Sequence, residues 1–235
     1  MHKLDKNGFT ILELLIATVV FSAVFLGATT GLLQVSKLYF KGVVTTRTQE
    51  TVRSLTDSLS QKLQFSEEPL VHKVDASFTV NGAPRNIMTF SAYCIGNTRY
   101  SYRINAQVAK DGSATGYDQS TNRLAHALWQ DTILASYAST CPPADLSKTN
   151  PSGAGGTGGQ ELLAPNMRLS EFLVACNTDT RICSLSVAVI YGDNDILATD
   201  AGGDIPTHCA SIIGSQWCAT SKLSTTVLKR VGATN

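Results

Sequence analysis

Apolar positions along this chain fall into two regimes, one continuous and one periodic. From Leu14 to Leu33 twenty consecutive residues carry no formal charge. A helix needs about 20 such residues to cross the hydrocarbon core of a bilayer. A short polar stretch, residues 1–8, precedes the run, and one carboxylate, Glu13, stands at its threshold. Beyond the run the pattern turns amphipathic. Val35, Leu38 and Tyr39 continue a stripe, and Val52, Leu55, Leu59 and Leu63 recur at steps of three and four, the spacing of one helix face. The stripe is weakest over Thr45 to Gln49, which is polar. Glu67-Glu68-Pro69 ends the element, because proline disfavours helical backbone in the residue before it. A single helix over residues 9–65 makes a rod of roughly 85 Å at 1.5 Å per residue, too long for a plain anchor.

After Leu70 the texture becomes that of strands and turns. Ser77–Val80 and Ile87–Tyr93 read as strands joined by the turn residues Asn81-Gly82-Ala83-Pro84. Arg99 to Val108 alternates like one half-buried strand, and Lys110 to Asn122 reads as a loop. Arg123 to Tyr137 fits helix or strand, with Leu124, Leu128 and Trp129 as core contacts. Cys141 to Gln160, with its prolines and the run Ser152–Gly159, reads as a flexible surface connection. Met167–Ala175, Ser184–Tyr191 and Leu223–Val231 read as strands, with Leu185, Val187, Val189 and Tyr191 on one face. A turn at Gly192-Asp193-Asn194-Asp195 and a loop from Ala198 to Pro206 separate the last two. The expected fold is α+β: one long N-terminal helix packed on a β-rich head.

Charge and cysteine usage add two details. Net charge is +1, which points to no acidic or nucleic-acid partner. The stem, however, carries Lys37, Lys41, Arg47, Arg53 and Lys62 against only Glu50 and Asp57. That balance suits a segment leaving anionic headgroups, and a solvated helix face explains it as well. Cys94, Cys141, Cys176, Cys183, Cys209 and Cys218 all lie beyond the apolar run. An even set on one side of an anchor points to an oxidising compartment, with metal binding as the competing reading. Local proximity favours Cys176–Cys183 and Cys209–Cys218, leaving Cys94 with Cys141.

Catalytic chemistry finds little support. His2, His72, His126 and His208 show no metalloprotease spacing, no nucleophile elbow is present, and the glycine run 153–159 lacks the ending of a phosphate loop. Asp193, Asn194, Asp195, Asp200 and Asp204 cluster closely enough for a weak calcium candidate, without an EF-hand pattern. No other cofactor is expected. Arg99, Tyr100, Tyr102 and Arg103 are the nearest approach to a nucleic-acid face, and strand alternation explains them equally.

The leader and the first residues of the apolar segment carry a family resemblance. Lys3 and Lys6 orient the helix after them with its C-terminal end outward. A signal peptide would have a shorter apolar core and a small-residue cleavage site. Gly8-Phe9-Thr10-Ile11-Leu12-Glu13 resembles the N-terminal signature of type IV pilins and type II secretion pseudopilins. The resemblance implies cleavage between Gly8 and Phe9 by a membrane prepilin peptidase, then methylation of the Phe9 amine. It implies that Glu13 pairs with the Phe9 amine of a neighbouring subunit, setting the axial register. A glutamate that snorkels to the headgroups is the plainer reading. The implied partners are other pilin subunits, major and minor, the peptidase, membrane lipid and an inner-membrane assembly platform.

Within that family, the stem Thr48 to Gln64 and the segment Ser186–Leu197 are similar to minor pilins of the PilW/PulJ type. The resemblance implies residues 1–8 as leader, 9–35 as membrane span, 36–65 as stem and 66–235 as head, and no activity of its own beyond being a peptidase substrate. The subunit would wait in the cytoplasmic membrane with its head outside, then enter a pilus and help prime its assembly. A type II secretion pseudopilin and a single-span membrane-anchored binding protein or adhesin are the alternatives. Gly27 and Gly31 lie in the span where major pilins often carry a proline.

Overall fold

The computed structural model describes residues 10–66, 72–79, 87–109, 117–118, 123–138, 140–153, 155–177, 180–200, 205–210 and 214–230. One helix, α1 (Ile11–Phe65), runs unbroken for 55 residues, about 82 Å. Its buried residues are Val44, Thr48, Val52, Leu55, Thr56, Leu59 and Leu63, all in its C-terminal part. The stripe does not fade at Thr48, as the polar sequence there suggests. Thr48 is fully buried, because its hydroxyl donates to the Val44 carbonyl at 2.8 Å and so brings its own partner inside. The helix ends at Phe65, with Ser66 extended and its hydroxyl on the Leu63 carbonyl.

Two antiparallel-rich sheets form the head. The first joins β1 (His72–Thr79), β2 (Ile87–Ile95) and β3 (Thr98–Tyr102). The chain then makes β4 (Gln107–Val108), β5 (Tyr117–Asp118) and β6 (Arg123–Leu124), which belong to the second sheet. β7 (Leu128–Ile133), a single helical turn α2 (Ala135–Ala138) and β8 (Gly156–Glu161) complete the first, in the order β1-β2-β3-β7-β8. β9 (Met167–Cys176) and β10 (Ile182–Tyr191) form the centre of the second. A small hairpin of β11 (Leu197–Thr199) and β12 (Pro206–Cys209) precedes the last strand, β13 (Ala219–Leu228). The second sheet has the order β13-β10-β9-β4-β6-β5.

Val52, Leu55, Leu59 and Leu63 enter one core with the inner faces of both sheets, including Phe90, Leu128, Leu185, Val187 and Val189. Each such aliphatic side chain contributes about 2 kcal/mol of burial. An aromatic seam joins the sheets: Tyr93 stacks on Tyr102 at 5.6 Å, and Phe172 meets Tyr102 edge-on at 4.8 Å. Burial pushes the Tyr100 hydroxyl up to about 12 and drives that of Tyr102 well above its ordinary range.

Two expectations from the sequence are corrected. Arg99 to Val108 is not one half-buried strand: β3 stops at Tyr102, Asn105 adopts φ +63°, and pairing resumes in the other sheet at β4. All five residues of β3 are buried. The reason is the second correction. Cys141 to Gln160 is not a flexible connection; residues 141–152 lie against the outer face of the first sheet, and residues 156–160 belong to β8. Arg99 and Asp131, register partners on β3 and β7, form a bidentate ion pair with side-chain exposures of 2% and 0%. Arg99 also donates to the carbonyls of Pro142 and Ser152, Ser101 Oγ accepts from the Ala144 amide, and Trp129 Nε1 donates to Ser152 Oγ. Glycines serve close approach here. A Cβ on Gly156 would lie 2.6 Å from Asp131 Oδ2, and one on Gly159 2.3 Å from the Trp129 ring.

The remaining expectations have simpler outcomes. Arg123 to Tyr137 resolves as the strands β6 and β7 followed by the first residues of the helical turn α2, with Leu124, Leu128 and Trp129 buried. β13 begins four residues before the expected strand. Residues 81–84, and most of 110–122, lie outside the described residues.

Candidate functional site

No residue of α1 before Val44 is buried, and Ile11, Leu15, Phe21, Phe25, Leu26 and Leu33 stand exposed on it. The helix is long and apolar enough to cross a membrane by length and composition. Four of its hydroxyls are satisfied within it. Thr18 donates to the Leu15 carbonyl, Ser22 to Thr18, Thr29 to Phe25 and Thr30 to Leu26, at 2.7–3.0 Å. Such internal bonds let hydroxyls sit in hydrocarbon without stranded donors. Gly27 and Gly31 have open space where a Cβ would project, so a neighbouring backbone has room to approach there.

Glu13 lies in the first turn of this helix. Gly8 and Phe9, the residues of the expected cleavage site, lie outside the described residues. Thr10 is the N-cap, and its hydroxyl accepts from the Glu13 amide at 3.3 Å. In return Glu13 Oε2 accepts from the Thr10 amide at 2.9 Å and from the Thr10 hydroxyl at 2.8 Å. This is a capping box, in which two groups at the helix start satisfy one another. The helix N-terminus also carries partial positive charge, which favours a carboxylate at that position. Both bonds that the carboxylate accepts use Oε2, leaving Glu13 Oε1 outside the box. Thr-x-x-Glu is the sequence signature of such a box, and reading Glu13 as a lone glutamate passes over it.

All six cysteines are paired, Cys94–Cys141, Cys176–Cys183 and Cys209–Cys218, the partners that proximity and elimination select. The first clamps the 141–152 segment to β2; the second closes the β9–β10 turn; the third fastens β12 to the start of β13.

Of the acidic residues named as weak calcium candidates, the described ones, Asp193, Asp195 and Asp200, have separate surroundings. Asp193 pairs with Arg123 at 2.8 Å and accepts from Gln107. Those two hold its carboxyl below the usual range, the Gln107 hydrogen bond foremost. Asp200 faces His208 at 3.5 Å, Asp195 lies on the turn Asn194–Ile196, and Asp204 is outside the described residues. Among the described residues no group of three His, Cys, Asp or Glu side chains is placed to hold a metal ion. Asn194 instead accepts from Arg168, which burial lowers to about 10.

One family model matches the chain: residues 3–29 fit the prokaryotic N-terminal methylation motif. That interval contains Gly8, Phe9 and Glu13 and ends inside the exposed apolar part of α1. Comparison with curated proteins and with solved structures gave no match.

Proposed function

We propose that this chain is a type IV pilin or pseudopilin subunit, and within that group a minor pilin that helps prime pilus assembly. The observation that carries the reading is the methylation motif at the start of a 55-residue helix whose apolar side chains, from Ile11 to Tyr39, stand exposed among the described residues. A helix of this kind is held by lipid before assembly and by other helices afterwards. The partners are other pilin subunits, and the chain is a substrate of the prepilin peptidase rather than an enzyme.

The capping box gives Glu13 a defined part in that sequence of events. A carboxylate near the hydrocarbon costs several kcal/mol unless it is paired. While the subunit waits in the membrane, Thr10 and the helix N-terminus meet part of that need. Cleavage after Gly8 would leave a cationic amine on Phe9, and the Oε1 that the box leaves open accepts the amine of a neighbouring subunit. The pairing sets axial register between subunits.

Mass spectrometry of the mature N-terminus tests the family reading: a methylated Phe9 is expected, and a start at Met1 removes it. The Glu13→Ala variant tests the pairing. It is expected to be cleaved and to remain in the membrane fraction, with filament incorporation reduced tenfold or more, since a lost charged pair of about 1.4 kcal/mol or above is a factor of ten. Normal incorporation of that variant sinks the pairing.

A further inference from the structure

We propose that Tyr39, Phe40 and Trp217 form a contact with lipid headgroups that seats the head on the bilayer surface; this rests on the membrane-anchored reading above. Trp217 closes a short 3-10 turn, Ser215–Trp217, which lies beside the Cys209–Cys218 bridge. Its ring meets Phe40 at 4.5 Å, and Phe40 meets Tyr39 edge-on at 5.9 Å. Trp217 stays outside the small core of Ile190, Ile196 and Cys218 beneath it and is 43% exposed; Phe40 is 39% exposed.

Height along α1 selects the occupant. Phe40 comes one turn before Val44, the first buried position, so the head touches the helix there ahead of its own packed stem. It also lies five residues after Val35, the last apolar residue before Lys37 and the end of the expected span, about 7.5 Å along the axis. The zone between hydrocarbon and bulk water is about 5–8 Å deep on each side of a bilayer, so the aromatic patch falls at its outer part. Tryptophan and tyrosine favour that zone because their rings are apolar and their N–H or O–H needs a polar partner. Lys37 and Lys41 lie within a turn of Phe40 and supply the positive charge that anionic headgroups attract. The patch continues the exposed apolar surface of the span through Leu33, Val35 and Leu38, so a membrane that accepts the helix reaches it without a gap.

Fluorescence quenching reads the contact directly. The full chain is reconstituted in vesicles of phosphatidylcholine and phosphatidylglycerol whose acyl chains are brominated either near the headgroup or near the chain end. The protein has two tryptophans, and Trp129 is buried in the head on Ser152. Emission is expected to fall with the shallow bromine and to hold with the deep bromine, and the Trp217→Phe variant is expected to lose that response. A Phe21→Trp reporter in the Trp217→Phe background reads insertion of the span itself and should be quenched by the deep bromine. If that reporter is quenched and Trp217 is not, the headgroup contact is overturned and the anchor stands. If neither is quenched, anchor and contact fall together. Trp217 emission that tracks the protein-to-lipid ratio and ignores bromine assigns the patch to a second copy and also overturns the proposal.

Discussion

The two halves of α1 share one backbone and differ in everything that surrounds it. Before Val44 its surface is apolar and open; from Val44 to Leu63 it carries a narrow buried stripe and a polar remainder. The second half is specified by its own chain, since Val52, Leu55, Leu59 and Leu63 find partners on both sheets. Among the described residues the first half buries no side chain, and it meets the head near its end, where Phe40 touches Trp217. A sequence that keeps so much apolar surface uncovered is written for surroundings outside itself, lipid or other helices. One helix thus carries two kinds of information: a fixed internal address and an open external one.

The sharpest way to break the comparison is to weaken the head and ask whether the span notices. Replacing Cys94 and Cys141 together by alanine opens a bridge across 47 residues, and the chain-entropy relation gives about 4 kcal/mol of lost head stability. Urea unfolding monitored by the near-ultraviolet signal of the head checks this, while membrane partition of the chain should be unchanged.

A matched pair of leucines sharpens it further. Leu59→Ala removes a buried stem side chain and is expected to cost about 3 kcal/mol in the same assay. Leu26→Ala, on the exposed half, should shift head stability by less than about 0.5 kcal/mol. Equal effects would show that the halves are not independent.

At the far end of the open half, Thr10→Ala removes the capping box and is expected to loosen the first turn by about 1 kcal/mol. Hydrogen exchange of the Glu13 and Leu14 amides in micelles should quicken while stem amides keep their protection.

The smallest effect is electrostatic and belongs to the head alone. Lys222, 2.6 Å from Glu171, holds that carboxyl below its ordinary value, with a smaller contribution from Ser186. Asp193 is lowered too, chiefly by Gln107. A depressed carboxylate stabilises the fold fully above its unfolded pKa, near 4, and ceases to do so as pH falls through the lower folded value. Head stability should therefore decline below about pH 4, and Lys222→Ala should flatten that decline by less than about 1 kcal/mol, because the pair is largely exposed.

Much of this division is readable from residues alone. Charge-free length and leucine spacing are local signals, and they place the long helix and its stem. Ser184–Tyr191 announces β10 by alternation through Val187 and an apolar run after it, and the cysteine pairs come from nearness in sequence and elimination. What escapes depends on distant partners. Arg99 reads as a surface residue until Asp131, thirty-two positions away, is placed opposite it. The glycines of 155–159 read as a linker because nothing local says that Trp129 and the Arg99–Asp131 pair will press against them. Thr48 looks like a gap in the stripe because its composition hides the bond that makes it buriable. At the start of α1 the methylation motif is legible, whereas the capping box is masked by the puzzle of a charged residue beside an apolar run.

The unbroken course of α1 also has a mechanical meaning. Its seven buried positions span about 28 Å along the axis, from Val44 to Leu63, and just beyond them the Arg230 amide holds the Gln64 carbonyl at 3.0 Å. A pull on the apolar end travels down a hydrogen-bonded rod with no proline to yield at. It reaches the head as shear, loading all seven positions at once rather than peeling them one by one. A helix built this way passes tension from its apolar end into the core of the head, so the strength of that joint is set by the packing of the stem.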